Sequence, residues 1–245
     1  MLRLDLLNLI YKNGGHIGGC LSALDIIDTL YDGQSFNFDQ DHFVLSAGHL
    51  AAALYVVLAK IGKIDKKLLD TYSCFGSPLQ GHVSHRVPGV EYSSGSLGQG
   101  LSFATGLALG DSSHYSVCLT SDGEHQEGQI WEAATFANKY KLKNLINIIS
   151  ANGLQIDGKI EKIMPLGSLS EKYIQFGWNT ITIDGHNQDE IKKAIELAKR
   201  SNQPTCIFAK TIMGKGISYM ENNFQYHDVK SLSQDLYEQA VAELK

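Results

Sequence analysis

A chain of 245 residues with 43 % hydrophobic side chains can bury a full core, and a single large α/β domain over residues 1–245 is expected. The formal net charge of −5, with Lys and Arg dispersed, leaves no basic footprint for nucleic acid, and no run approaches the ~18 apolar residues of a membrane span. Cys20, Cys74, Cys118 and Cys206 stand far apart with no C-x-x-C pair, and no basic n-region opens the chain. Reduced thiols, a cytoplasmic location and no zinc ribbon are therefore expected.

In chain order, Leu2 to Tyr11 reads as an amphipathic helix. Ser22-Ala23-Leu24-Asp25 has the pattern of a capping box, which predicts a helix over Ala23 to Tyr31. Phe43 to Ser46 reads as a strand, and Leu50 to Ile61 as a nearly all-apolar, hence buried, helix. Tyr72 to Gly95 is long and irregular, the kind of stretch that carries function on a rigid scaffold. Leu97 to Leu109, with Gly98, Gly100, Ala104, Gly106 and Ala108, predicts a helix packed closely on its neighbours. Tyr115 to Thr120 and Leu145 to Ile149 read as buried strands. Between them, Glu127 to Tyr140 places Ile130, Ala133, Ala134, Ala137 and Tyr140 on one helical face. Strand Trp178 to Ile183, helix Asp189 to Arg200 capped by Asn187, strand Cys206 to Ala209 and helix Ser233 to Leu244 complete the series. The alternation predicts an α/β fold with a largely parallel sheet flanked by helices.

Two polar turns stand out, Ser121-Asp122-Gly123-Glu124 and Ser150-Ala151-Asn152-Gly153-Leu154. The strand–turn–helix–strand unit puts both at the carboxyl ends of parallel strands, where open α/β sheets bind ligands. An Asp carboxylate and an Asn amide oxygen are hard donors that suit Mg²⁺ shared with phosphate oxygens. Gly123 lets backbone approach a phosphate and leaves its N–H to bind one. Taken singly, each of the nine histidines is a satisfied core or surface residue more often than a functional one. His82 and His85 have a metal-like spacing, but no further Cys or His stands at a supporting distance. The glycines of Gly95-Ser96-Leu97-Gly98-Gln99-Gly100 lack the preceding apolar strand that a dinucleotide fingerprint requires.

Longer segments carry a resemblance. Ser121-Asp122-Gly123-Glu124-His125-Gln126-Glu127-Gly128-Gln129-Ile130-Trp131-Glu132-Ala133, followed by Asn152-Gly153-Leu154-Gln155-Ile156-Asp157-Gly158, is similar to the thiamine diphosphate motif of transketolases. Asn13-Gly14-Gly15-His16 and Phe43 to His49 resemble that family's first two histidine segments. Gly81-His82 with Pro88-Gly89-Val90-Glu91 and Gly95 to Gly100 resembles the third, and Lys210-Thr211 through Gly214-Lys215-Gly216 to His227 the last. Over nearly its whole length the chain resembles the amino-terminal subunit of a split transketolase.

That resemblance implies a thiamine diphosphate-binding fold and ketol transfer between sugars or sugar phosphates. Mg²⁺, or Ca²⁺ or Mn²⁺, would be held by Asp122, Asn152 and Leu154. The implied cofactor-binding residues are His49, Gly95, Ser96, Leu97, Gly123, Glu124, Asn152 and His227. Catalytic roles fall to His16, His82, His227 and Glu127, the last at an interface with a partner's carboxylate. The carboxylate that activates thiamine belongs to a pyrimidine-binding domain. A separate carboxy-terminal subunit is therefore the implied partner, in an α₂β₂ assembly. Ser121 stands for the motif's usual first glycine, Ser150-Ala151 for a more acidic or polar pair, Ile17 for proline and Ala47 for asparagine. Two alternatives stay open: another thiamine diphosphate-dependent ketol or aldehyde transferase acting on a specialised sugar, and a non-catalytic assembly subunit.

Overall fold

The computed structural model describes residues 1–245. Its elements run α1 (Leu2–Asn13), α2 (Ile17–Leu30), β1 (His42–Leu45), α3 (Ala51–Lys60), α4 (Gln99–Gly110), β2 (Ser116–Ser121) and α5 (Gly128–Lys139). They continue with β3 (Leu145–Ala151), a small antiparallel hairpin of β4 (Leu154–Gln155) and β5 (Gly158–Lys159), α6 (Ile160–Ile163) and α7 (Leu169–Gln175). The last are β6 (Asn179–Asp184), α8 (Gln188–Lys199), β7 (Thr205–Lys210) and α9 (Gln234–Leu244).

Five strands form one sheet in the order β1-β2-β3-β7-β6, every pair parallel. The central strands β2 and β3 are buried on both faces, which is why they read as continuous apolar runs. Edge strand β6 alternates Asn179, Thr180, Thr182 and Asp184 with its isoleucines, a polar edge that resists further pairing. Because side chains alternate along a strand, Val117, Leu119, Ile146, Ile148 and Ile207 point to one face. There they pack beneath α1, α2, α3 and α8. Cys118, Leu145, Ile149, Cys206 and Phe208 point to the other, beneath α4, α5 and α7. The result is three layers, helix–sheet–helix, with β2 and β3 in the middle and their carboxyl ends together: Ser121 pairs with Ser150.

Most expected elements lie within two residues of where the pattern placed them. Helix α2 is the correction. It begins at Ile17 instead of Ala23, so Ser22 lies inside it, fully buried, and caps nothing. Gly18 and Gly19 make the segment look like a poor helix, yet packing demands at least Gly18. A Cβ there would lie 2.6 Å from the carbonyl oxygen of Tyr226. Asp25, read as the return partner of the box, instead bonds Arg3 and the Nδ1–H of His186. Helix α4 starts at Gln99 because Gly98 turns left-handed at φ 83, a conformation glycine adopts without cost. Helix α7 and the hairpin have no sequence expectation behind them; Ser168 caps α7 by accepting the N–H of Glu171 at 3.2 Å. The stretch from Tyr72 to Gly95 is irregular and is pinned by buried Leu79, Val83, Val87 and Val90.

Candidate active site

A cavity of about 330 Å³ opens over the carboxyl ends of β1, β2 and β3. Among its lining residues are His16, His49, His82, Gly95, Leu97, Asp122, Gly123, Glu124, Glu127, Asn152, Leu154 and His227. These are the sequence candidates with the single exception of Ser96, which is exposed beside them.

The floor is built where β2 and β3 end. Asp122 is 6 % exposed, and its Oδ1 and Oδ2 accept the backbone N–H groups of Gly123 at 2.9 Å and Gly153 at 2.6 Å. Burial pushes its carboxyl up to about 6, against the pull of those backbone N–H groups. Asp122 has no ion-pair partner, and neither Lys nor Arg lines the cavity. Asn152 presents Oδ1 to the N–H of Leu154 at 2.9 Å and donates through Nδ2 to Ser22 Oγ at 3.3 Å. A buried carboxylate beside an amide oxygen, with no basic neighbour, is a donor set for a hard divalent cation. No three His, Cys, Asp or Glu side chains converge anywhere to hold a metal, so a cation here would rely on Asn152 and backbone oxygen as well as Asp122.

Glu124 is an organiser. It is wholly buried; Oε1 accepts Ser46 Oγ–H and the N–H of Gly98 at 2.7 Å, while Oε2 accepts the N–H of Ser121 at 3.2 Å. One carboxylate thus joins the end of β1, the turn into α4 and the end of β2. Burial raises its carboxyl above the ordinary value, offset by these donors. Glu127, by contrast, is exposed at the cavity rim ahead of α5.

Four imidazoles form the wall. The ring centroid of His16 lies 5.5 Å from His49, 5.7 Å from His82 and 5.6 Å from His227. His49 and His227 are 5.6 Å apart. His16 sits at the start of α2 and His227 follows the turn Phe224–Tyr226; a two-residue bridge, Gly15 with Val229, clamps their segments together. Burial depresses His16 and His227 below the ordinary histidine value and takes His49 down to about 3. These three are therefore neutral near pH 7, each with one donor and one acceptor nitrogen. The Nδ1 atoms of His16 and His227 are buried with no partner in the chain, as groups waiting for a polar ligand would be.

The amino-acid sequence matches the family described as transketolase, thiamine diphosphate binding domain, over residues 1–244. The chain belongs to the transketolase family. It is 41 % identical to the 6-deoxy-6-sulfo-D-fructose transketolase subunit SqwG of a Clostridium species, over 94 % of this chain and 88 % of that one. It is 38 % identical to an apulose-4-phosphate transketolase subunit of Phocaeicola vulgatus, over 99 % and 90 % of the two chains. The fold matches transketolase from Campylobacter jejuni with a TM-score of 0.90 at 30 % identity, covering 99 % of this chain but 41 % of that one. This transketolase chain is thus a transferase subunit of the amino-terminal kind, similar in extent to relatives that are themselves named as subunits.

Some lining residues of this transketolase subunit carry no sequence signal of their own. Gln126 and Gln155 lie inside the motif segments without standing out there. Their side chains join at 2.8 Å, and Gln126 also reaches the carbonyl of Met164 at 3.1 Å. Met213, Leu50 and Gly19 reach the cavity only through tertiary packing.

Proposed function

We propose that this chain holds the Mg²⁺–diphosphate end of thiamine diphosphate. With a separate carboxy-terminal subunit bearing a pyrimidine-binding domain, it transfers a two-carbon ketol unit between sugars or sugar phosphates. The observation that carries this reading is one cavity joining an oxygen-donor floor to a wall of imidazoles, two with unpartnered buried nitrogens.

In this reading Asp122, the amide oxygen of Asn152 and the carbonyl of Leu154 hold the cation, Mg²⁺ by preference, since hard octahedral sites use few protein ligands plus phosphate oxygens. Gly123 and the Gly95-Ser96-Leu97 turn present backbone to the diphosphate, and Glu124 keeps those turns in place. Thiamine diphosphate, when bound, supplies the carbon nucleophile for breaking and making the sugar C–C bond. His49 and His227 line the cofactor side. His16, His82 and His227 hydrogen-bond to sugar hydroxyls and carry protons between oxygens, a task for which imidazole is suited; His16 and His227 each bring a buried, unpartnered Nδ1 to it. Glu127, exposed at the rim, is offered to the partner's carboxylate.

The names of two relatives specify a sugar phosphate and a sulfo-sugar, each with an anionic end. The cavity has no Lys or Arg for such an end, which supports assigning that recognition to the partner subunit. Four free cysteines, three of them buried, support a reducing, cytoplasmic setting; the reading takes the chain as a single diphosphate-binding domain within an α₂β₂ assembly.

Reconstitution tests the reading. With thiamine diphosphate, Mg²⁺, a ketose donor and an aldose acceptor, the mixed subunits transfer the ketol unit and the purified chain alone does not. Turnover by the single chain, or a complete mixture without turnover on any ketose, overturns it.

A further inference from the structure

Behind the cavity floor lies a group of hydroxyls that the cofactor reading leaves unused. Ser22, Ser150 and Thr211, from α2, the end of β3 and the segment after β7, are 0 %, 2 % and 8 % exposed. Ser22 Oγ donates to Thr211 Oγ1 at 2.8 Å; Thr211 Oγ1 and Ser150 Oγ are 3.1 Å apart; Ser150 Oγ and Ser22 Oγ are 3.3 Å apart. Each hydroxyl has one proton. With the Ser22 proton spent on Thr211, Ser150 must donate to Ser22 and Thr211 to Ser150, which closes a ring. Ser22 then retains one lone pair and no proton, so it can only accept from Asn152. It accepts Nδ2–H, at 3.3 Å.

We propose that the Ser22–Ser150–Thr211 ring is the orienting element of Asn152, with Ser22 a positioning residue that fixes which end of the amide faces the cation. The inference rests on Asn152 acting as a cation ligand. A flipped amide would set its NH₂ against the N–H of Leu154, donor on donor, and lose the bond to Ser22. Two protein groups thus demand the orientation that sets the amide nitrogen on Ser22 and the amide oxygen on the Leu154 turn, where it keeps a lone pair for the cation. Serine inside a helix commonly bonds back to its own turn; Ser22 is instead directed across to β3 and the post-β7 segment. That placement explains a buried polar residue in an otherwise apolar helix face.

The test is an electron paramagnetic resonance titration of Mn²⁺ into the full chain with thiamine diphosphate present. Ser22→Ala is expected to weaken Mn²⁺ binding about tenfold, the usual effect of removing a partner that orients a ligand. Thr211→Val removes no volume and touches no proposed ligand. It frees the Ser22 proton to favour the flipped amide, and is expected to weaken binding in the same direction by a smaller factor. In an Asn152→Asp background both side-chain ends are oxygens, so Ser22→Ala is expected to change affinity by less than about twofold. An equal loss in both backgrounds marks Ser22 as merely structural and overturns the inference. So does Asn152→Ala weakening Mn²⁺ binding while Ser22→Ala and Thr211→Val do not. If Asn152→Ala itself leaves Mn²⁺ affinity unchanged, the cation reading fails first and the inference falls with it.

Discussion

The backbone N–H of Gly153 donates to Oδ2 of Asp122 at 2.6 Å, tying the turn after β3 to the turn after β2. With Gly123 on the other oxygen, the carboxylate is aimed before any cation arrives. Orientation fixed in advance by backbone is what a precise ligand needs, since no side-chain entropy is then lost on binding. The same principle recurs across the cavity.

In the proposed function the four histidines have different roles, His49 and His227 toward the cofactor, His16 and His82 toward the sugar. His49→Ala is expected to weaken cofactor binding by about 1–3 kcal/mol, the value of a hydrogen bond to a charged oxygen. His16→Ala and His82→Ala are expected to lower kcat while leaving cofactor affinity nearly intact, because only sugar contacts are lost. Calorimetry of cofactor binding beside steady-state kinetics decides; the reverse ordering refutes the division.

Glu124 is expected to matter for folding as much as for binding. Glu124→Ala strands the donors of Ser46, Gly98 and Ser121 in a buried site. The loss is about 3 kcal/mol or more, a fall in Tm of roughly 6–12 °C for a chain of this size. Glu124→Gln keeps one accepting oxygen and is expected to lose about half as much. A melting curve for Glu124→Ala within about 2 °C of the parent would contradict the role assigned to it.

His125 is one source of acid sensitivity, beside the buried His49, His16 and His227 of the cavity wall. It is fully buried, with Nδ1–H donating to the carbonyl of Ser121 at 2.8 Å and Nε2 accepting from Tyr173 Oη–H at 3.0 Å. Burial lowers its pKa from 6.5 to about 4. The unfolded chain therefore binds a proton that the folded one refuses, so stability is full above pH 6.5 and is lost as pH falls toward 4. Between pH 7 and pH 5 the contribution lost is about 2 kcal/mol. His125→Gln is expected to flatten the urea-unfolding stability over that range by this amount; an unchanged slope would remove His125 as a cause.

The doubly buried strands and the amphipathic helix between them were legible because one-dimensional patterns report burial directly. The site was legible for the same reason: Asp122 and Asn152 follow strand ends, and strand ends converge in a parallel sheet. Helix α2 was misplaced because Ser22 and Asp25 imitate a capping box. Their true partners, Thr211 and His186, are far away in sequence. Helix α7 stayed hidden although its Tyr173 links His125 to Asn147, a bond no local spacing predicts. Which histidines share a cavity also depends on tertiary structure. The segments they lie in, which resemble the family's, pointed to a role, and only the 5.5–5.7 Å ring spacings around His16 make them one wall.

The central claim is that Asp122 and Asn152 anchor the cation and, through it, the diphosphate. Calorimetric titration of thiamine diphosphate, with and without Mg²⁺, into the two-subunit complex tests it most directly. In the parent complex binding is expected to depend on Mg²⁺, and Asp122→Ala and Asn152→Ala each to lose that Mg²⁺-dependent binding, at a cost of several kcal/mol, on the order of a metal contact. Unchanged, Mg²⁺-dependent affinity in both variants would contradict the account.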